Sequence, residues 1–218
     1  MHGTSLASAP APRRGRGRPS ADDAQPVSAQ LLDAATTLFA EAGFDTVGVR
    51  QIAAQAHVDA AMISHHFGSK RALWEAVIDR LSTRLTGCLA NVVVLPGTPA
   101  ARLNQAIGHI IDLLCDTPPL AAFILREVVL ENERSDFCTR RLVEPIHQSL
   151  RPLLADYAAF HGSDVDLDYL FVALNGAIVV SVAARPLLDR IAGAKDDAAF
   201  RAHLKTTLAA QMATRLGA

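Results

Sequence analysis

Three features of the sequence predict an all-α fold. Apolar residues recur at three- and four-residue steps through most of the chain. Ala and Leu abound while aromatics make up only 5% of 218 residues, a balance that favours helices. No segment alternates apolar and polar side chains as a half-buried strand would. With 50% hydrophobic and 20% charged residues, the chain can bury a real core.

Residues 1–26 hold Pro10, Pro12, Pro19, Pro26 and the run RRGRGRP without apolar periodicity. A disordered basic arm is expected there. Ser28 is the expected cap of a first helix that aligns Leu31, Leu32, Ala35, Leu38 and Phe39. Gly43 should stop it in the left-handed conformation that glycine adopts cheaply. Two short helices and the start of a long one then complete an N-terminal domain over residues 27–80. A larger helical domain, residues 81–218, follows. Its helices are expected over residues 71–89, 100–115, 120–131, 135–160, 166–188 and 198–216. Pro145 and Pro152 should kink or split the fourth of these, and Asp164 is available to cap the fifth.

Val49 to Ile63 has the spacing of a helix-turn-helix. Ile52 and Ala53 face inward, and the small Ala53 lets the next helix cross closely. His57 takes the turn, Val58 plugs the core, Asp59 caps the second helix, and Ile63 and Phe67 return to the core one turn apart. That second helix is too short to persist alone. Its outward residues Ala60, Ala61, Ser64 and His65 are small or hydrogen-bonding, suited to close approach to base edges.

The stretch LFAEAGFDTVGVRQIAAQAHVDAAMISHHFGSKRALWEAVIDR, with its Gly43-Phe44 turn, Ile52-Ala53 pair and His66-Phe67-Gly68-Ser69-Lys70 run, resembles the DNA-binding domain of the TetR/AcrR family of bacterial regulators. The resemblance implies a homodimer, a three-helix DNA reader and a larger domain that binds a small effector. It places Arg50 where the second helix reaches DNA, and Ala60, Ala61 and Met62 at the start of the recognition helix against bases. His65 and His66 match the aromatic/His pair near its end, and Lys70 matches a phosphate-contacting lysine. Ser64 stands where the family usually has Tyr, His57 where it has Gly, and Gly48 where it has Thr or Ser. The turn should therefore be strained, and the helix-two cap lacks a side-chain oxygen.

Between Val27 and Arg80, four cations (Arg50, Lys70, Arg71, Arg80) oppose six carboxylates (Asp33, Glu41, Asp45, Asp59, Glu75, Asp79), a net of −2. A basic footprint for DNA must therefore come from the arm, whose Arg13, Arg14, Arg16 and Arg18 are clustered. Gly15 to Pro19 is similar to the core of an AT-hook, which points Arg16 and Arg18 at a narrow minor groove.

In the second domain, residues 171–184 are apolar nearly all round, and Phe200, Leu204, Leu208, Met212 and Leu216 recur at steps of four. These two helices are the expected dimer seam. Phe123, Ile124, Val128, Phe137 and Tyr157 are candidate walls of an effector pocket, with Arg126, Glu127, His109 and His147 as polar points, but no spacing singles out a ligand site.

Cys88, Cys115 and Cys138 are odd in number and far apart, which excludes a disulfide framework or a paired-cysteine zinc site. No apolar stretch reaches the roughly 20 residues of a spanning helix. The expectation is a cytoplasmic regulator without cofactor, metal or membrane partner, whose partners are an operator duplex, a small effector and a second copy. Repression relieved by effector binding is the leading reading. An activator or a ligand-independent DNA-binding factor is the alternative. A helical enzyme using His65 or His66 lacks a nucleophile or carboxylate at workable spacing.

Overall fold

A computed structural model describes residues 21–90 and 96–216, with side chains from residue 27 to 213. Every regular element among the described residues is a helix, and none is a strand. The basic cluster from Arg13 to Arg18 lies outside them.

Helix α1 runs Ala21–Ala42, so the expected start at Ser28 is corrected. Residues 21–26, expected in the disordered arm, are helical, and Pro26 is at least the sixth residue of α1. Gly43 closes α1 with φ +83°, and a Cβ on it would lie 2.6 Å from Arg126 Nη1. Both the backbone conformation and that close approach call for glycine.

Helices α2 (Val49–Gln55), α3 (Ala61–Phe67) and α4 (Lys70–Ala90) complete the N-terminal unit. The second domain stacks α5 (Pro99–Asp116), α6 (Pro118–Val128), α7 (Glu133–Cys138), a π-helical turn (Thr139–Val143), α8 (Glu144–Phe160), α9 (Leu167–Ala183), α10 (Arg185–Ala192) and α11 (Asp197–Leu216). Helix α6 begins two residues earlier than the sequence suggested, since Pro118 and Pro119 occupy its first positions, where proline is pre-organised. The expected disruption at Pro145 takes the form of the π turn just before it, while Pro152 sits inside α8. Asp166, not Asp164, caps α9, accepting from the amides of Asp168 and Tyr169 at 2.9 and 3.2 Å. The helix expected over 166–188 is two helices bent by 69°, broken ahead of Pro186.

Helix α6 lies between α1 and α9, so it joins the N-terminal unit to the second domain. The stripe Phe200, Leu204, Leu208 and Met212 is buried within the chain, where α11 packs on α5. This corrects its assignment to a dimer seam, since a stripe at steps of four shows that a face packs, not against what. Leu216 has no described side chain.

Candidate nucleic-acid interface and effector cavity

The N-terminal unit is built on Phe39, Ile52, Ile63 and Trp74, each at most 1% exposed. Ala53 is buried at the α2–α3 crossing. His57 adopts φ +56°, the strained left-handed turn expected of a residue where glycine fits best. Val58 N–H donates to Ala53 O at 3.0 Å, locking the turn. Asp59 Oδ1 accepts from the Ala61 amide at 2.8 Å, as its capping role requires. Gly48 caps α2 without a side chain, and Gln51 Oε1 reaches back to accept from its amide at 2.7 Å.

On this scaffold Arg50, Ala61, Ser64 and His65 are exposed on α2 and α3. Ala60 and Met62 are half-buried and pack against the core. The half-buried His66 meets His65 edge to face, ring centroids 5.0 Å apart. Lys70 Nζ rests 4.4 Å over the Phe44 ring, and partial burial pulls its pKa below the ordinary lysine value against the opposing pull of Asp45. Arg71 pairs with Glu75 and Glu133, each at 3.0 Å, and Arg80 with Asp33 at 2.7 Å. Among the described residues, Arg50 is the cation of this unit with neither an ion pair nor a ring contact. The face offers shape and hydrogen bonds but little charge. No cluster of metal-ligating side chains occurs among the described residues.

A cavity of about 330 Å³ opens in the second domain between α6, the π turn and α9. Ile124, Val128, Leu142, Phe171 and Val179 give it an apolar wall, and Thr139 and Asn175 are its polar points. Asn175 Nδ2 donates one hydrogen to Phe171 O at 3.0 Å, which leaves its second N–H to donate and its oxygen to accept. No charged side chain lines the space. Of the residues considered from sequence, Ile124 and Val128 line it. Phe123 is fully buried in the core, Phe137 stacks on Trp74 at 5.5 Å, and Tyr157 borders a separate groove beside α11. His147 instead contacts Asp168 at 2.9 Å, and His109 is exposed. Thr139 and Asn175 went unnoticed because an apolar wall with two small polar residues has the same pattern as core.

On α9 and α10 a further apolar face is exposed: Tyr169 at 79%, Val172 at 66% and Ile191 at 73%, with Val180 and Leu187 between them. A Cβ at Gly176 on that face would meet nothing within 4 Å.

Residues 31–77 match the family model of bacterial regulatory proteins of the tetR family. The HTH-type transcriptional repressor Rv3405c of Mycobacterium tuberculosis is 35% identical over 107 residues, which are 40% of this chain and 57% of that protein. The chain thus matches little more than half the length of this curated relative. FadR from Bacillus subtilis, a transcriptional regulator solved in complex with stearoyl-CoA, shares the fold with a TM-score of 0.65 at 19% identity, covering 83% of this chain and 97% of that one. The ketosteroid transcriptional regulator KstR2 of Mycobacterium tuberculosis gives 0.66 at 18% identity, covering 84% and 93%. Residues 31–77 thus carry the N-terminal unit of the tetR family of bacterial regulatory proteins, and the solved structures share the helical fold over most of the chain.

Proposed function

We propose that this chain is a ligand-responsive DNA-binding transcriptional regulator, acting as a repressor that an apolar effector releases. The observation that carries the reading is the exposed, small-residue face of α3 held on a fully buried three-helix core. Such a helix can lie in a major groove, with Ala61, Ser64 and His65 against bases and Arg50 on the flank. Lys70 serves there as a packed cation that also approaches the backbone. The arm supplies the charge that the folded face lacks, Arg16 and Arg18 entering an adjacent minor groove.

The effector belongs in the cavity between α6, the π turn and α9. Its lining selects a hydrocarbon body with one hydroxyl or amide to meet Thr139 and Asn175. The stearoyl chain of the stearoyl-CoA in complex with FadR from Bacillus subtilis is a hydrocarbon body of that kind. The exposed faces of α9 and α10 pair two copies, placing two recognition helices on one duplex. No single described helix is long and apolar enough to cross a membrane, and three free cysteines suit a reducing cytoplasm. Catalysis has no place in this reading.

Selection of genomic fragments on the purified full-length protein tests it. A palindromic duplex bound more tightly than scrambled DNA, by a factor of at least ~10³, is the expected result. Binding equal for both duplexes would remove the operator-reading role.

A further inference from the structure

Helix α6 faces two ways. Ile124, Leu125 and Val128 line the cavity, while Arg126 and Glu127 face the DNA reader. Arg126 Nη2 donates to Glu41 O at 3.3 Å, at the end of α1. Glu127 is 1% exposed, and its Oε2 accepts from Arg134 Nε at 3.3 Å. Arg134 then reaches across to the reader. Its Nη1 and Nη2 fork onto the Asp45 carboxylate at 3.2 and 2.9 Å, and its guanidinium lies 4.7 Å over the Phe44 ring. A forked guanidinium stacked on a ring holds one geometry and tolerates little sliding.

Arg134 sits on α7, which runs without a break into the π turn. Thr139, Leu142 and Val143 of that turn form the cavity wall opposite α6. Both walls of the cavity therefore end on one guanidinium, α6 through Glu127 and the π turn through α7. Phe137, also on α7, packs on Trp74 at 5.5 Å, and Trp74 meets Phe44 edge-on at 6.1 Å. The Phe44-Asp45 turn is the point at which this cluster grips the reader.

We propose that Arg134 is the positioning residue that couples cavity occupancy to the attitude of the DNA reader. A ligand that parts α6 from the π turn separates Glu127 from Arg134. The guanidinium cannot then serve Glu127, Asp45 and Phe44 at once, and the reader is released from the second domain. The inference rests on the reading that the cavity takes the effector and that α2 and α3 take DNA.

Trp74 is the chain's only tryptophan, so its emission reports on this junction without any DNA. The test uses full-length protein, 1-alkanols from octanol to tetradecanol as probes, and the variants Arg134→Gln and Asp45→Ala. The second variant severs only the exposed reader end, so it keeps the test decisive if Arg134→Gln misfolds. In wild type, an alkanol that raises the melting temperature should shift Trp74 emission and weaken the selected duplex by ~10-fold. In the variants the same alkanol should still raise the melting temperature, while duplex affinity changes by less than ~2-fold. Wild-type responses in both variants would overturn the role of Arg134. So would an alkanol that stabilises wild type while leaving Trp74 and duplex affinity unmoved. Failure of every alkanol to stabilise wild type would instead overturn the cavity as effector site, and the coupling with it.

Discussion

The DNA reader and the second domain are both apolar helix packings, yet they use their side chains differently. In the reader, Phe39, Ile52, Ile63 and Trp74 fill the space between four helices. The second domain instead encloses a cavity of about 330 Å³ and leaves Tyr169, Val172 and Ile191 uncovered. A close-packed interior transmits displacement as a rigid body, whereas a void is where a helix can move cheaply. On the proposed reading, the contrast gives rigidity to the part that would match a duplex and yield to the part that would accept a guest.

Truncation of one apolar side chain in each region tests this contrast with the largest expected effect. Phe39→Ala should cost about 3–5 kcal/mol of unfolding free energy, while Val179→Ala beside the existing cavity should cost about 1 kcal/mol. Urea denaturation of both variants measures the gap. Equal costs would mean that the cavity wall is as tightly supported as the reader core.

Surface truncation on the reader should separate binding from stability. Arg50→Ala and His65→Ala should each weaken the selected duplex by ~1–3 kcal/mol. Melting temperatures should stay near wild type, since both side chains are exposed. A fluorescence titration that finds wild-type affinity in both variants would move the DNA-facing surface off α2 and α3.

The smallest effect concerns the junction between the two regions. Burial pushes the Glu127 carboxyl above its ordinary 4.5, and Arg134 pulls the other way without cancelling the rise. The folded chain then holds this proton more tightly than the unfolded chain does. The stability it contributes is complete at low pH and is lost as pH rises from the unfolded value through the folded one. Glu127→Gln has no such loss, so its melting temperature relative to wild type should climb with pH above about 4.5. Melting curves from about pH 4 to about pH 8 check the sign. A relative value that falls with pH would show that pairing with Arg134 outweighs burial.

The helix-turn-helix was legible because its constraints are local. Ile52, Ala53, Asp59 and Ile63 stand within twelve residues, and a single turn geometry satisfies them all. The distant partnerships were not legible. Arg134 and Asp45 are 89 positions apart, and no periodicity links them. Of the cavity's lining only Ile124 and Val128 were anticipated, because Ile124, Leu142 and Val179 would read the same if they touched. The α11 stripe was found but assigned to the wrong neighbour, because α5 offers an equally apolar face within the chain. The first six described residues of α1, residues 21–26, read as arm because they carry no apolar periodicity.

The early start of α1 also sets the length of a tether. Arg18 stands three residues before Ala21, the first described residue of the helix, so that spacer spans at most roughly 11 Å even when fully extended. A guanidinium on so short a leash cannot sample the whole duplex. Once α3 is seated, its search volume shrinks to the neighbouring groove and its local concentration there rises accordingly. On the proposed reading, lengthening the spacer should dilute the arginines at the groove without altering a contact of the folded domain, and duplex affinity should fall with it.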